Sequence, residues 1–339
     1  MKKKKWKRIV YPLLALIVIV IGAAAWWTYN AFHQAESFHK SKEESRFNQF
    51  EDKPEELPPD WTGTERVNIL LMGGDERGLR KGEVARSDSM MVASFDPVTK
   101  KAHLFSILRD TYVDIPGYKD NRINTAITLG GPNLAMKTVG NLLGLDIQYY
   151  VYVDFQGFIK LVDAIGGVDF YVEKDMHYTD AADGHVYDID LKKGQQHLDG
   201  DHALQYVRFR HDAMSDFTRT ERQRAFLGAV ADKLKSGWNL VKLPDILGDV
   251  SPYIETNLSG TDMLKLASLG YKSHQAGSAQ VPPMELISEK DVGGASVLGV
   301  KDEDALKGYV QEVLNKDQTE ASPSPSASGS ASASDSSTK

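Results

Sequence analysis

Ser87–Asp110 reads SDSMMVASFDPVTKKAHLFSILRD, and the pattern of this stretch sets the fold. Two apolar, β-prone runs, Met90–Phe95 and Ala102–Leu108, flank the turn Asp96-Pro97-Val98-Thr99-Lys100, as in an antiparallel hairpin. The midpoint falls between Val98 and Thr99, so Asp88 and Arg109 stand symmetrically about it. Antiparallel register then places them face to face at the open end, about 5 Å apart at Cα. Arg86-Ser87-Asp88 is thereby set beside Arg109-Asp110.

Working outward, Val67–Met72 predicts a strand that enters the loop Gly73-Gly74-Asp75-Glu76-Arg77-Gly78. Glycines there permit close backbone approach to a ligand. Downstream, Pro132–Leu143 predicts a helix with proline near its first turn and Gly144 just past its end. Tyr149–Val153 is a strand, Asp154 a cap for the helix Phe155–Ile165, and Val168–Val172 another strand after Gly166-Gly167. This alternation gives an α/β class, a sheet covered by helices. Lys174–Leu198 is polar and without periodicity. Gln205–Arg210 predicts a strand, and Phe217–Leu234, Leu243–Val250, Thr261–Leu269 and Asp302–Leu314 predict helices. No internal repeat is present.

The ends differ in kind. Six basic residues fall within the first eight, before an uncharged apolar run from Ile9 to Trp27. Nineteen residues of helix span about 28 Å, close to the hydrocarbon thickness of a bilayer. The basic cluster predicts a cytoplasmic N-terminus and an exported C-terminal bulk, with Trp26 and Trp27 at the outer interface. Ala23-Ala24-Ala25 would suit cleavage of a signal peptide, but the length of the run and the Trp pair favour a retained anchor. The chain has no cysteine, which excludes disulfides and thiolate metal sites. It carries 40 Lys and Arg against 47 Asp and Glu. With six of those basic residues spent before Ile9, the remainder stands at 34 to 47, and so acidic a surface argues against nucleic-acid binding. Thr319–Lys339 is almost wholly Ser, Ala, Pro, Gly and Thr, a composition that predicts disorder.

Two clusters carry chemistry. Asp75 and Asp88, close to arginines, suit a Mg²⁺-phosphate site, because Mg²⁺ is held by one or two carboxylates plus substrate phosphate. In Tyr206-Val207-Arg208-Phe209-Arg210, strand periodicity projects Arg208 and Arg210 from one face, where an anion would neutralise them. The next helix opens at Ser215 or Asp216 and places Arg219, Arg222 and Gln223 on one face near its N-terminus. His177, His185, His197, His202 and His211 lack metal-ligand spacing and read as loop or surface residues. Gly73-Gly74 lacks the ending of a P-loop. The apolar runs Leu134–Leu145 and Phe155–Ile165 read as core, with surplus apolar surface that could line a groove for a lipid tail.

Together these segments resemble the LytR-CpsA-Psr family. The resemblance covers roughly Arg66–Gly270 and rests on NILLMGGDERG, RSDSMMVAS, SILRDTYVDIPGY, the run from Arg122 to Val172, GDHALQYVRFRHD and SDFTRTERQR. It implies a central mixed β-sheet flanked by helices, a hydrophobic cavity for a polyprenyl phosphate, and a single preceding transmembrane helix. It implies a phosphotransferase of the cell membrane that moves wall teichoic acid or a similar glycopolymer from its polyprenyl-pyrophosphate carrier to peptidoglycan. By motif, Asp75 and Asp88 would position Mg²⁺ (or Mn²⁺), and Arg86, Arg109, Arg208, Arg210 and Gln223 would bind the pyrophosphate. Asp216 and Arg219 match the family's D-F-x-R motif, with Thr218 where glycine is common.

The expected organisation is a basic tail (1–8), an anchor (9–28), a stalk (29–65), a catalytic domain (66–275), an extension (276–318) and a tail (319–339). Rival readings are a non-catalytic anionic-glycolipid scaffold, a pyrophosphatase of the cell envelope, and a transcription regulator. The Asp75/Asp88 pair speaks against the scaffold, because pure anion binding gains nothing from carboxylates. The acidic surface speaks against the regulator.

Overall fold

The computed structural model describes residues 2–50, 61–76, 79–80, 82–179, 184–186, 188–211 and 216–316, with side chains from residue 19 onward. The expected tail 319–339 lies outside the described residues. Strands in chain order are β1 (Val67–Gly74), β2 (Ser87–Phe95), β3 (Lys101–Ile107), β4 (Thr111–Val113), β5 (Asn121–Arg122), β6 (Tyr149–Asp154), β7 (Val168–Val172), β8 (Met176–Tyr178), β9 (Ile189–Leu191), β10 (Gly194–Leu198), β11 (Ile254–Thr256), β12 (His274–Val281), β13 (Ile287–Val292) and β14 (Ala295–Val300). Helices are α1 (Lys2–Glu36), α2 (Ala126–Leu143), α3 (Phe155–Ala164), α4 (Gly200–Arg208), α5 (Asp216–Leu234), α6 (Gly237–Val241), α7 (Leu243–Val250), α8 (Gly260–Lys272) and α9 (Glu303–Asn315).

Six strands form the central sheet in the order β11-β6-β1-β2-β3-β12. Pairs β1/β6 and β3/β12 are parallel, whereas β1/β2, β2/β3 and β6/β11 are antiparallel, so the sheet is mixed. Its two faces are written in the period-two pattern of the strands. Leu70 and Met72, Met90 and Val92, and Phe105 and Ile107 point to one side. There they pack with Val139 and Leu143 of α2 and with Leu306 and Val310 of α9. The described part of the expected extension, 276–316, thus supplies most of β12 of the sheet and the helix α9 of the main core.

The other face meets α3, α4 and α5, which with β7 hold a second core around Val162, Leu204, Phe226 and Val230. Asp154 caps α3 by accepting from the Gly157 amide at 2.7 Å. In α2 the helix is kinked at Gly130 and Gly131, resumes at Pro132 and ends at Gly144 in the left-handed conformation. The polar segment Lys174–Leu198, expected to be irregular, contains β8, β9 and β10, paired as short two-stranded ribbons.

The predicted strand Gln205–Arg210 is not formed: the chain is helical up to Arg208. The Asp199 carboxylate caps α4 through the His202 amide, and Ala203, Leu204 and Val207 bury one helical stripe. Local alternation over five residues gave way to that cap and that stripe.

Residues 31–50, expected as part of a stalk, lie against the domain. Ala31, Ala35, Phe38 and Phe47 are buried, and Phe47 packs edge-on to Tyr150 and Tyr152. Within the apolar run of α1, Ile19, Val20 and Ile21 are exposed. Among the described residues no helix is long and apolar enough to cross a membrane. The first half of the run, 9–18, falls on residues whose side chains lie outside the described ones.

Candidate functional site

The hairpin register is Met90↔Ile107 through Phe95↔Ala102, the symmetry read from the turn. Continued to the open end it brings Arg109 to Asp88, and the Arg109 guanidinium donates to the Asp88 carboxylate. Arg109 also reaches Asp110 at 3.7 Å and Asp216 at 3.5 Å. Burial pulls the Arg109 guanidinium down, but Asp216, Asp88 and Asp110 outweigh it and hold the group above its ordinary value.

Asp216, the first residue of α5, is the centre of this cluster. It lies 3.1 Å from Arg210 and accepts from Arg219 at 3.1 Å, so three arginines converge on one half-buried carboxylate. Arg219 is only 6% exposed. Burial, partly offset by Asp216 and reinforced by Arg109 and Arg210, pulls its guanidinium down to about 10. It stays charged at neutral pH, in a place that disfavours charge unless an anion is near. Ser215, the alternative start of this helix, lies outside the described residues.

A cavity of about 680 Å³ opens beside the cluster, between the second face of the sheet and helices α3, α4 and α5. Asp75, Asp88, Arg109, Arg208, Arg210, Arg219 and Gln223 all line it. Asp75 arrives from the end of β1, where Gly74 packs against the Tyr152 hydroxyl so closely that a Cβ would overlap it. Arg208 ends α4 with its guanidinium 5.1 Å from the Phe155 ring centre. Gln223 is held by Ser89, whose hydroxyl donates to it at 3.0 Å, and by the Val207 carbonyl, to which it donates at 3.2 Å. The remaining wall is largely apolar, including Leu71, Met91, Phe158, Leu161, Leu204 and Val230.

One expected ligand, Arg86, and one residue expected on the shared face of α5, Arg222, stand elsewhere. Arg86 is exposed just before β2 and is not part of the cavity wall. Arg222 faces away: it donates to Glu173 at 2.6 Å and to the Phe209 carbonyl at 3.1 Å, and lies over the Phe209 ring. Arg208 and Arg210 do share the cavity, although through a helix end rather than a strand face. Of the two apolar runs considered for a groove, Phe155–Ile165 lines it and Leu134–Leu145 belongs to the core on the opposite face.

Sequence reasoning missed how α5 serves the cavity along its length. Arg219, Gln223, Phe226, Leu227 and Val230 form one stripe, polar at the N-terminal end and apolar beyond. The signal was readable as spacings of four, seven, eight and eleven residues from Arg219. His211 is exposed, as expected, and also stacks on Tyr178 at 4.2 Å, with both touching the cavity. His177, His185, His197 and His202 are exposed beside aspartates.

Among the described residues no three His, Asp or Glu side chains gather as a metal cage. Asp75 and Asp88, which both line the cavity, are the carboxylates that could hold a Mg²⁺ ion, an ion that takes one or two carboxylates and completes its shell with water and substrate phosphate.

Fold and site together define an α/β protein with a buried apolar groove headed by a cluster of arginines and carboxylates. The chain belongs to the LytR_cpsA_psr family, whose model matches residues 27–312. Regulatory protein MsrR of Staphylococcus aureus is 39% identical over 195 residues, 57% of this chain and 57% of that protein. The chain thus spans little more than half the length of this relative. Polyisoprenyl-teichoic acid–peptidoglycan teichoic acid transferase TagU of Bacillus mycoides is 35% identical over 285 residues, 81% of this chain and 87% of that one. Among solved structures, TagV of B. subtilis superposes with a TM-score of 0.61 at 30% identity, covering 74% of this chain and 98% of that chain. The family protein YwtF (TagT) with bound octaprenyl pyrophosphate lipid superposes at 0.56 with 26% identity, covering 77% and 94%.

Proposed function

We propose that this protein is a membrane-anchored phosphotransferase that moves an anionic glycopolymer, wall teichoic acid or a close chemical relative, from a polyprenyl-pyrophosphate carrier to peptidoglycan. The observation that carries this reading is the continuity of an apolar cavity with a head of arginines and two carboxylates. The relative named as a teichoic acid transferase and the structural neighbour holding a prenyl pyrophosphate support it.

The polyprenyl tail lies along the apolar wall, and its pyrophosphate reaches Arg109, Arg208, Arg210, Arg219 and Gln223. Guanidinium forks match phosphate oxygens in bidentate fashion, and their charge is worth most where water is excluded. A hydroxyl of peptidoglycan attacks the phosphorus nearer the glycopolymer. A new phosphorus–oxygen bond forms, the pyrophosphate bridge breaks, and polyprenyl phosphate leaves with the electron pair. The hydroxyl proton passes to the carboxylate oxygen at this end, of Asp75 or Asp88, that is left free of the metal. Such transfers need positioning and charge neutralisation more than covalent help. Asp75 and Asp88 would hold Mg²⁺, which when bound neutralises charge on the pyrophosphate. Asp216 keeps three arginines in place without entering the chemistry.

The test is an in-vitro transfer assay with the full chain, a polyprenyl-pyrophosphate glycolipid and nascent peptidoglycan, with and without Mg²⁺. Product that is stimulated by Mg²⁺ and lost in Asp88→Ala and Arg208→Ala is the expected result. Tight glycolipid binding with no turnover on any acceptor would instead make the protein a scaffold.

A further inference from the structure

α1 does not leave the domain where its apolar run ends. Trp27, Ala31, Ala35 and Phe38 lie at helical spacing on the face turned to the domain, and the Trp27 indole donates to the Val241 carbonyl of α6 at 2.9 Å. α6 is itself bolted down. The buried Asn239 side chain donates to the Ile165 carbonyl at 3.1 Å and to the Lys233 carbonyl at 2.9 Å, at the C-terminal ends of α3 and α5. Yet α6 presents Trp238 at 67% and Val241 at 61% exposure, and Trp26, the neighbour of Trp27 in α1, is 66% exposed. The Lys242 ammonium lies 5.2 Å from the Trp238 ring centre. Residues 19–26 of α1 are exposed all round, as a helix is when its cover is lipid.

We propose that α6, with Trp238 and Val241, is a second membrane-contacting element that rests in the outer headgroup interface of the bilayer. This rests on the anchor assigned under the proposed function. If the run Ile9–Trp27 spans the hydrocarbon, Trp27 stands at its outer boundary, and a hydrogen bond fixes α6 at the same height. Tryptophan settles at that level because its ring is apolar and its N–H polar, and lysine reaches past it to water. The consequence concerns the cavity. α3 and α5, whose ends α6 ties together, contribute Leu161 and Val230 to the apolar part of the cavity wall. Contact with the bilayer at α6 therefore brings the apolar part of the cavity to the membrane surface, so that a polyprenyl chain passes from bilayer to groove with little apolar surface exposed to water.

The chain lacks cysteine, so single cysteines carry a fluorescent label without background. Full-length Ala23→Cys, Trp238→Cys and Val292→Cys proteins are labelled with nitrobenzoxadiazole and placed in phosphatidylcholine nanodiscs. Val292 is exposed on the β13–β14 hairpin, away from α1 and α6 in sequence and in a different sheet from the central one. The expected result is that labels at Ala23 and Trp238 are quenched by a nitroxide lipid and severalfold less by aqueous iodide than the label at Val292. A Trp238 label that behaves like the one at Val292, while Ala23 stays in lipid, overturns the docking surface and leaves the anchor standing. An Ala23 label open to iodide removes the anchor and the proposal together. As a second readout, Trp238→Ala/Val241→Ser keeps its Tm and its turnover of detergent-dispersed carrier but loses severalfold turnover of nanodisc-embedded carrier. Equal rates in nanodiscs for this variant and the parent overturn the proposal.

Discussion

Asp216 shows how one carboxylate can organise the arginines of a site. Three guanidinium groups surround its carboxylate, and Arg219 among them is nearly out of reach of water. Removing one partner of a buried ionic group costs more than the group contributes when intact, because the remaining charges stay desolvated. Asp216→Asn is therefore expected to lose about 3 kcal/mol, seen as a fall in Tm of roughly 6–12 °C for a domain of this size. Inorganic pyrophosphate should restore more Tm to the variant than it adds to the parent, since it supplies the missing negative charge. An unchanged Tm would show that the arginines are held by other contacts. The pairing of Asp88 with Arg109 was legible at this scale, because turn symmetry alone determines which residues face each other. The turning away of Arg222 was not. It depends on Glu173, forty-nine residues earlier, and on the path of the chain at Phe209.

At the scale of elements, what the sequence conveyed depended on where each signal lay. The hairpin, β1, β6 and α3 carry their caps and periodicities within themselves and formed as read. In α4 the alternating Tyr206-Val207-Arg208-Phe209-Arg210 resembles a strand, but the helix is initiated at Asp199 and stabilised by burial against α3 and β9. The segment after α1 is polar and gave no sign of docking, because its partners are distant in sequence. Arg46 is in ionic contact with Glu76, with Asp154 at 3.6 Å and with Glu255 at 3.3 Å, over the Tyr152 ring at 4.8 Å. Burial pulls the Arg46 guanidinium down, but the surrounding acids and Tyr152 raise it above its ordinary value overall. Glu255 is almost fully buried, and without Arg46 its charge would be poorly compensated. Arg46→Ala is expected to lose about 2–4 kcal/mol. Adding Glu255→Gln should return part of that loss, because it removes the stranded charge. Urea denaturation of the two single variants and the double variant measures the coupling. Strict additivity would mean that the pair is not energetically linked. Because Glu76 adjoins Asp75, the same contact reaches toward the cavity.

At the scale of the whole molecule, the second face of the central sheet is left incompletely covered, and the resulting space is the cavity. One face of β1 and β2 packs against α2 and α9, whereas Leu71 and Met91 on the other look into the gap below α5. A gap of about 680 Å³ with apolar walls is a cost that a core would avoid by collapse, so its retention argues for an occupant. Filling it tests which part of the substrate that occupant is. Leu227 of α5 lines the cavity midway between Gln223 and Val230. Leu227→Trp adds apolar volume to space that is already open, so Tm should hold or rise rather than fall. The longer ring then competes with a polyprenyl chain for the groove. A tenfold or greater rise in Kd for a long-chain polyprenyl phosphate is expected, equivalent to about 1.4 kcal/mol. A water-soluble pyrophosphate sugar without the tail should bind as it does to the parent, because Arg109, Arg210 and Arg219 are untouched. Equal loss for both ligands would mean that the substitution had disturbed the charged end. Unchanged binding of the long-chain lipid would place the tail outside this cavity altogether.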